Sequence, residues 1–315
     1  MTREELKKKR IGVLMGGPSP ERKISLKTGK AVLKGLLAKG YQALGIEVDR
    51  SLATSLLKEK IEVAFVALHG PWGEDGSMQG LLEMLGIPYT GSGVLSSALA
   101  MNKVMAKKIF HYHNLPTPKF QVINYEDSLS EVTINPPLVV KPASGGSTIG
   151  TTIVKSKKEI EEALKKAAEY DQEILVEKYI EGRDITVGIL DGKHLPVIEI
   201  VPKSGFYDYE AKYVPGKSEY IVPARLPSEI TKKANKLGEA AYRVLKCSGA
   251  ARVDFRLDKK GRLLILEVNT IPGLTETSLL PMAAVEAGID FPTLIERILL
   301  SARLHIGSKM SRRGC

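Results

Sequence analysis

The sequence predicts a mixed protein: a parallel α/β unit at the N-terminus, followed by α+β units built on antiparallel strands. Three observations carry this. Ile11-Gly12-Val13-Leu14-Met15 is a short apolar run ending in Gly16-Gly17-Pro18-Ser19-Pro20-Glu21 and followed by a helical pattern, the strand, glycine turn, helix order of a parallel unit. Leu138-Val139-Val140-Lys141-Pro142 runs directly into the glycine-rich Ala143-Ser144-Gly145-Gly146-Ser147-Thr148-Ile149-Gly150. Residues 251–257 and 264–269 both alternate polar and apolar side chains around Lys260-Gly261, as an antiparallel hairpin does.

In the first unit, residues 1–100, Ile24, Val32, Leu33, Leu36 and Leu37 line a helix closed by Gly40. Strands follow at 43–48, 63–68 and Ile87-Pro88-Tyr89. The first turn is not GxGxxG, so a dinucleotide reading is weak. Ala67-Leu68-His69-Gly70-Pro71-Trp72-Gly73-Glu74-Asp75-Gly76 lies at the C-terminal end of a parallel strand, where open α/β sheets bind ligands. His69 is there either a ligand contact or a structural histidine.

The second unit, residues 101–182, begins at Met101-Asn102-Lys103 and carries the strand 138–142, a further strand, a helix at 158–170 and a strand at 173–180. Lys141 closes a buried strand, so it needs a partner or an anionic ligand. The loop after it is either a phosphate cradle of amides and hydroxyls or a flexible turn; no GxxxxGK[ST] occurs, so it is not a Walker loop. Glu177, in Leu175-Val176-Glu177-Lys178-Tyr179-Ile180, is placed either to read an adenine amino group or on a solvated edge.

The third unit, residues 183–307, takes a hairpin at 185–190 and 195–201, a helix at 227–246, the acidic hairpin and two closing helices. Phe206-Tyr207-Asp208-Tyr209-Glu210-Ala211-Lys212-Tyr213 has no pattern, and reads as a mobile flap or as a surface loop packed by its own tyrosines. In the acidic hairpin, a turn centred between Lys260 and Gly261 sets Asp254 opposite Glu267 and Arg252 opposite Asn269, all four on one face, with Val253, Phe255, Leu266 and Val268 on the other. Two facing carboxylates repel unless a cation lies between them, and an added Asn oxygen completes a hard donor set suited to Mg²⁺. A solvated hairpin face is the ordinary alternative. Pro272-Gly273 then breaks the strand, and residues 277–281 open a helix beside these groups.

The net charge of +10 is concentrated at the ends: residues 1–10 and 308–315 each contribute +3, leaving +4 for the body. That excess suits polyanionic small substrates, and no aromatic-basic array or nucleic-acid motif accompanies it. No apolar run approaches membrane-spanning length, residues 1–7 lack a signal-peptide core, and Cys247 and Cys315 fit no metal spacing or disulfide framework. A cytoplasmic protein is expected. Residues 308–315 have no apolar periodicity and are expected to be disordered.

Taken in order, Gly16-Gly17-Pro18-Ser19-Pro20-Glu21-Arg22-Lys23-Ile24-Ser25, Leu68-His69-Gly70 with Gly73-Glu74-Asp75-Gly76, Tyr89-Thr90-Gly91-Ser92-Gly93, Met101-Asn102-Lys103, Lys141-Pro142 with Gly146-Ser147, residues 207–213, and Glu267-Val268-Asn269-Thr270 with Pro272-Gly273 resemble the D-alanine-D-alanine ligase family of the ATP-grasp fold. The resemblance implies an ATP-grasp fold preceded by a parallel α/β domain, and ligation of two D-alanine molecules through an acyl phosphate, for peptidoglycan. It implies ATP on Lys103, Lys141 and Lys212, with Glu177, Lys178 and Ile180 around the adenine. Asp184 stands where the family more often has Glu on the ribose. Asp254, Glu267 and Asn269 are implied to hold Mg²⁺ or Mn²⁺, Glu21 and His69 to meet the first D-alanine, Arg252 and the Gly273 amide to face the oxyanion, and Ser278 and Leu279 to receive the second carboxylate. Glu21, Ser147 and Tyr213 match the family's hydrogen-bonded triad, and Tyr213 is typically Phe in relatives that make D-alanyl-D-lactate. A homodimer is implied, and the alternative is the same scaffold with D-lactate or D-serine as second substrate.

Overall fold

The structure is a computed structural model and describes residues 1–125, 132–207, 209–214 and 216–306. The chain opens on α1 (Arg3–Lys7), where Thr2 and Glu5 cap each other's backbone. Next come β1 (Arg10–Gly16), α2 (Arg22–Ala38), β2 (Gln42–Val48), α3 (Leu52–Lys58), β3 (Val63–Val66), α4 (Ser77–Met84) and α5 (Val94–Met101). The three strands form a parallel sheet in the order β2-β1-β3. Central β1 is buried along its length except at Arg10, as a near-continuous apolar run requires. Against it lies α2, so close that a Cβ at Gly29 would stand 2.4 Å from Met15 Cβ.

Ile87-Pro88-Tyr89 is not the strand expected from its composition. Tyr89 makes one parallel bridge to Ala64 and one antiparallel bridge to Arg303. Pro88 offers only its carbonyl, to Ala64 N, and Gly86 and Gly91, both at positive φ, turn the chain away on either side.

The second sheet is antiparallel, in the order β4-β7-β5-β6. It is formed by β4 (Phe120–Asn124), β5 (Leu138–Pro142), β6 (Thr152–Val154) and β7 (Glu173–Lys178), after helix α6 (Lys103–Tyr112). The helix α7 (Ile160–Ala168) is shorter than the pattern suggested, because Lys157–Glu159 winds as a 3₁₀ turn before it. Beyond these lie β8 (Gly182–Leu190), β9 (Lys193–His194), β10 (Ile198–Pro202), α8 (Tyr209–Tyr213), β11 (Ser218–Ile221), α9 (Ser228–Val244), β12 (Ala250–Asp258), β13 (Leu263–Asn269), α10 (Leu279–Glu286) and α11 (Phe291–Leu300). Their strands make an antiparallel sheet, β11-β10-β8-β12-β13, with β9 on β8. The unpatterned segment at 206–213 thus contains the short helix α8. The tail at 308–315 lies outside the described residues.

β12 and β13 pair Arg252 with Asn269 and Asp254 with Glu267, as the alternation requires, but nearer the tip Phe255 faces Ile265 and Leu257 faces Leu263. The turn is therefore centred on Lys260 rather than between Lys260 and Gly261, and a bulge after Asp254 restores the register. One expected side chain changes place as a result. Ile265 joins Val253, Phe255 and Val268 in the core, while Leu266 lines the cleft.

Two of the cores cross between sheets. Val32, Leu36 and Tyr41 of the first unit pack in one cluster with Leu279, Leu280, Leu294 and Ile295 of the closing helices. α6 is a wedge: Ala106 and Phe110 enter the core of the six-stranded sheet, while Val104 packs with Ala143 and Leu175 of the four-stranded one. Among the described residues no helix is long and apolar enough to cross a membrane.

The contact between α2 and β1 yields a test. Gly29→Ala adds about 1 kcal/mol of helix propensity but forces Met15 to move in a filled core, at roughly 1–3 kcal/mol. A melting temperature lower by a few degrees is expected in thermal unfolding followed by circular dichroism. An unchanged or higher value would mean that Met15 yields freely.

Candidate active site

Two adjoining cavities open where the sheets face each other. The first is bounded by Val139, Ile180, Ile200, Phe206 and Leu266 together with Lys141, Glu177 and Asp184. The second holds Glu21, His69, Arg252, Asn269, Gly273 and Ser278. Lys103, Gly145, Gly146, Ser147, Tyr207, Lys212 and Glu267 line both, so the cavities meet at a wall of cations and loop backbone. Each residue singled out from the sequence, Lys178, Tyr213, Asp254 and Leu279 included, lines one cavity or the other.

Glu177 is not on a solvated edge. It is 2% exposed and forms ion pairs with two lysines, Lys141 at Oε1 and Lys107 2.8 Å from Oε2. Burial alone would raise its pKa, but the two ammoniums outweigh burial and hold it at about 2. Lys103 begins α6 with its ammonium on the Gly145 carbonyl and 3.8 Å from Glu267, while Asn102 caps the helix through Met105 N. Lys212 stands over the Tyr207 ring at 5.3 Å. The loop itself needs unusual backbone: Gly145, Ser147, Thr148 and Gly150 all have positive φ, two of them without glycine's freedom.

The Lys178 ammonium turns onto the carbonyls of Asn135 and Pro136, at 3.0 and 3.1 Å. Asp184 is paired with Arg256 at 2.7 Å, yet burial outweighs this partner and its pKa is raised. Arg256 also donates to the Ile180 carbonyl at 3.0 Å and lies over the Tyr179 ring, so it fixes both residues expected near a ribose and base.

On the hairpin face, Arg252 grips Asp254 with Nε and Nη2 at 2.8 and 2.9 Å, and Thr186 Oγ1 donates to Asp254 Oδ1 at 2.6 Å. Burial would raise the pKa of Glu267, but Lys103, Lys212, Lys141 and Arg252 outweigh burial and hold this carboxylate at about 2. The protein's own cations thus offset the repulsion that seemed to demand a metal. A divalent cation still fits the donor set. The two carboxylates neighbour each other across the ladder, Asp254 Oδ1 takes both Arg252 Nε and Thr186 Oγ1 while its Oδ2 takes only Arg252 Nη2, and Asn269 Oδ1 accepts one bond, from Ile271 N at 3.0 Å, so each of the three side chains has an oxygen lone pair to offer.

At the far end Glu21, 6% exposed, closes a triad. Ser147 Oγ donates to its Oε1, and Tyr213 Oη lies 2.7 Å from Ser147 Oγ and 3.4 Å from the same carboxylate oxygen. Its other oxygen sits in a slot of glycines: a Cβ at Gly70 or Gly146 would come within 2.6 or 2.8 Å of Oε2. His69 is buried, its Nε2 3.1 Å from Thr28 Oγ1, and burial lowers its pKa, which favours neutral imidazole. Glu74 accepts from Gly70 N at 2.7 Å, and burial, with Glu21's charge adding to it, raises its pKa to about 8. Ser278 precedes α10 and shares its hydroxyl with Thr275 at 2.8 Å, leaving the helix's first amides toward the cavity.

Four contributors were missed in the sequence. Arg256 continues the period-two face of Arg252 and Asp254, and Lys107 follows Lys103 by one helical turn, so both had a spacing signal. Glu74 sits in a glycine-rich loop whose composition assigns it no role, and Thr186 has no signal without the pairing of β8 with β12.

A parallel α/β unit followed by two antiparallel sheets that close on a cleft of lysines and paired carboxylates is the architecture of the ATP-grasp enzymes. Residues 50–92 match the family model described as D-ala D-ala ligase N-terminus, and residues 109–300 that described as D-ala D-ala ligase C-terminus. The chain is 54% identical over 308 residues to the D-alanine--D-alanine ligase of Geotalea uraniireducens, covering 97% of this chain and 99% of that one. It is 52% identical to that of Geobacter sulfurreducens, covering 97% and 98%. The crystal structure of the Bacillus anthracis ligase complexed with ATP superposes with a TM-score of 0.81 at 39% identity, over 93% of this chain and 97% of that one. The Coxiella burnetii ligase gives 0.80 at 28% identity, over 94% of each. The chain belongs to the D-alanine-D-alanine ligase family.

The raised pKa of Glu74 sets a pH dependence. Its contribution to stability is complete below the ordinary carboxylate pKa and is lost as pH rises through about 8, because the folded site must then hold a second charge beside Glu21. Glu74→Gln is expected to match the parent's melting temperature at pH 5 and to exceed it at pH 9 by on the order of 5 °C. Parallel melting curves would contradict the shift.

Proposed function

We propose that this protein joins two D-alanine molecules into D-alanyl-D-alanine, converting ATP to ADP and phosphate. The observation that carries the reading is the shared wall of the two cavities, where Lys103, Lys212 and Glu267 border an apolar cleft of nucleotide character on one side and a polar one on the other. A phosphoryl group at that wall is within reach of both.

In this reading Glu177, Lys178 and Ile180 border the adenine, Asp184 the ribose, and Lys103, Lys141 and Lys212 the phosphates. Asp254, Glu267 and Asn269 would hold Mg²⁺ or Mn²⁺, which when bound screens the charge of the transferred phosphoryl group. Glu21 holds the ammonium of the first D-alanine, and neutral His69 lies beside it without adding a competing positive charge. The carboxylate of that D-alanine attacks the γ-phosphorus, giving an acyl phosphate. The amine of the second D-alanine then attacks the acyl carbon, and phosphate leaves the tetrahedral intermediate. Arg252 and the Gly273 amide face the oxyanion, where one donor of this kind contributes about 3–4 kcal/mol. Ser278 and the Leu279 amide, at the start of α10, receive the second carboxylate. Residues 1–100, 101–182 and 183–307 are proposed as the units that close around the site, and a cytoplasmic homodimer serving peptidoglycan synthesis as the setting.

Phosphate release measured against D-alanine concentration, with the product identified by mass, tests the activity directly. Glu267→Gln keeps the side chain's shape but removes one of the two carboxylates that face each other on the hairpin, so ATP turnover is expected to vanish while the melting temperature stays near the parent's. Near-normal phosphate release at saturating Mg²⁺ would refute the metal assignment.

Tyr213→Phe removes one hydrogen bond worth roughly 0.5–1.5 kcal/mol from the triad. The ratio of dipeptide to D-alanyl-D-lactate in a competition near neutral pH is therefore expected to shift toward the ester by about tenfold. An unchanged ratio with brisk dipeptide synthesis would show that Tyr213 does not choose the nucleophile.

A further inference from the structure

Lys107 lines neither cavity, yet its side chain is fully buried, a state that lysine rarely adopts unless paired. It lies on α6, the wedge between the two antiparallel sheets, one turn after Lys103. Its ammonium makes two polar contacts that point to opposite sheets. One is Glu177 Oε2 of β7 at 2.8 Å. The other is Thr117 Oγ1 at 2.6 Å, and that hydroxyl donates in turn to the Ile265 carbonyl of β13 at 2.8 Å. The Ile265 amide is bound to the Pro116 carbonyl at 2.8 Å, so Pro116 and Thr117 are fastened to β13 two residues before Glu267. The ring of Phe120 covers the ammonium at 5.7 Å.

From this geometry we infer that Lys107 is a positioning residue for the nucleotide: it holds Glu177 from behind and ties that carboxylate to the strand bearing Glu267. The inference rests on the reading that Glu177 borders the adenine. Glu177 has two buried cationic partners, of which Lys141 faces the cavity and Lys107 does not. With Lys141 alone, the carboxylate would be free to swing toward the cavity with its partner, and neither group would keep its place when the nucleotide enters. A fixed, non-exchanging counter-charge behind Glu177 prevents this. It also makes the adenine edge and the acidic hairpin one rigid frame across two sheets.

The test is steady-state kinetics of the full-length enzyme with Lys107→Met, Lys107→Arg and Thr117→Val, alongside Glu177→Gln. Lys107→Met is expected to raise KM for ATP about tenfold or more with kcat within about threefold and KM for D-alanine unchanged, and to narrow the preference for ATP over GTP by a similar factor. Lys107→Arg should recover part of both effects. Thr117→Val, which keeps the shape and removes the link to Ile265, should shift KM for ATP in the same direction by a smaller factor, and it serves as the test if the methionine variant does not fold. A merely structural lysine would lower the melting temperature and leave the ATP-to-GTP preference at the parent's value, and that result overturns the inference. A rise in KM for ATP in Lys107→Met with none in Glu177→Gln overturns the route through Glu177. Unchanged KM in both variants would refute the adenine reading as well.

Discussion

The constraint on which the site depends is the balance of buried charge. Lys103 and Lys212 stand on the wall between the two cavities, with Lys141 lining the first and Arg252 the second, and like charges gathered in a buried site repel far more strongly than in water. The arrangement is tolerable because Glu177, Asp254 and Glu267 are interleaved with them: neighbouring cations outweigh the burial of Glu177 and Glu267, and Arg252 grips Asp254 at two points. No single strand can supply that interleaving. It takes β5 and β7 of one sheet, β12 and β13 of the other, and α6 between them, which is why the two antiparallel sheets must face each other at all.

The parts of this arrangement readable in the sequence are those governed by short-range periodicity. Alternation in β12 and β13 was enough to pair Asp254 with Glu267 and Arg252 with Asn269, and the apolar run into a glycine-rich loop was enough to put Lys141 and Ser147 together. What escaped was decided by contacts distant in sequence. Whether Glu177 was solvated or buried turned on Lys107, seventy residues earlier on a helix whose register against β7 is set only by packing. The bulge after Asp254 has no glycine to mark it, so the displacement of Leu266 from core to cleft could not be foreseen from alternation alone. Pro88 did carry a signal against a strand, and the bridges at Tyr89 reflect it.

Glu21 shows how a cleft between separate units is made to depend on one side chain. It begins α2 of the parallel unit, takes the Ser147 hydroxyl from the glycine-rich loop and meets Tyr213 from α8. Gly70 and Gly146 let the backbone of two other segments come within van der Waals contact of its free oxygen. A larger residue at either position would push the loop and the parallel unit apart, so the glycines serve closure as much as they serve turn geometry.

The bulge in the acidic hairpin bears on how the first cavity can vary. Because the ladder is regular on both sides of it, Leu266 is the surplus residue: Ile265 keeps its place in the core and Glu267 keeps its place opposite Asp254 whatever stands at 266. The floor of the cleft at that point is thereby uncoupled from both the hydrophobic interior and the carboxylate pair. Position 266 is a place where the shape of the first cavity can drift, or be redesigned, without disturbing either the core at Ile265 or the carboxylate pair at Glu267.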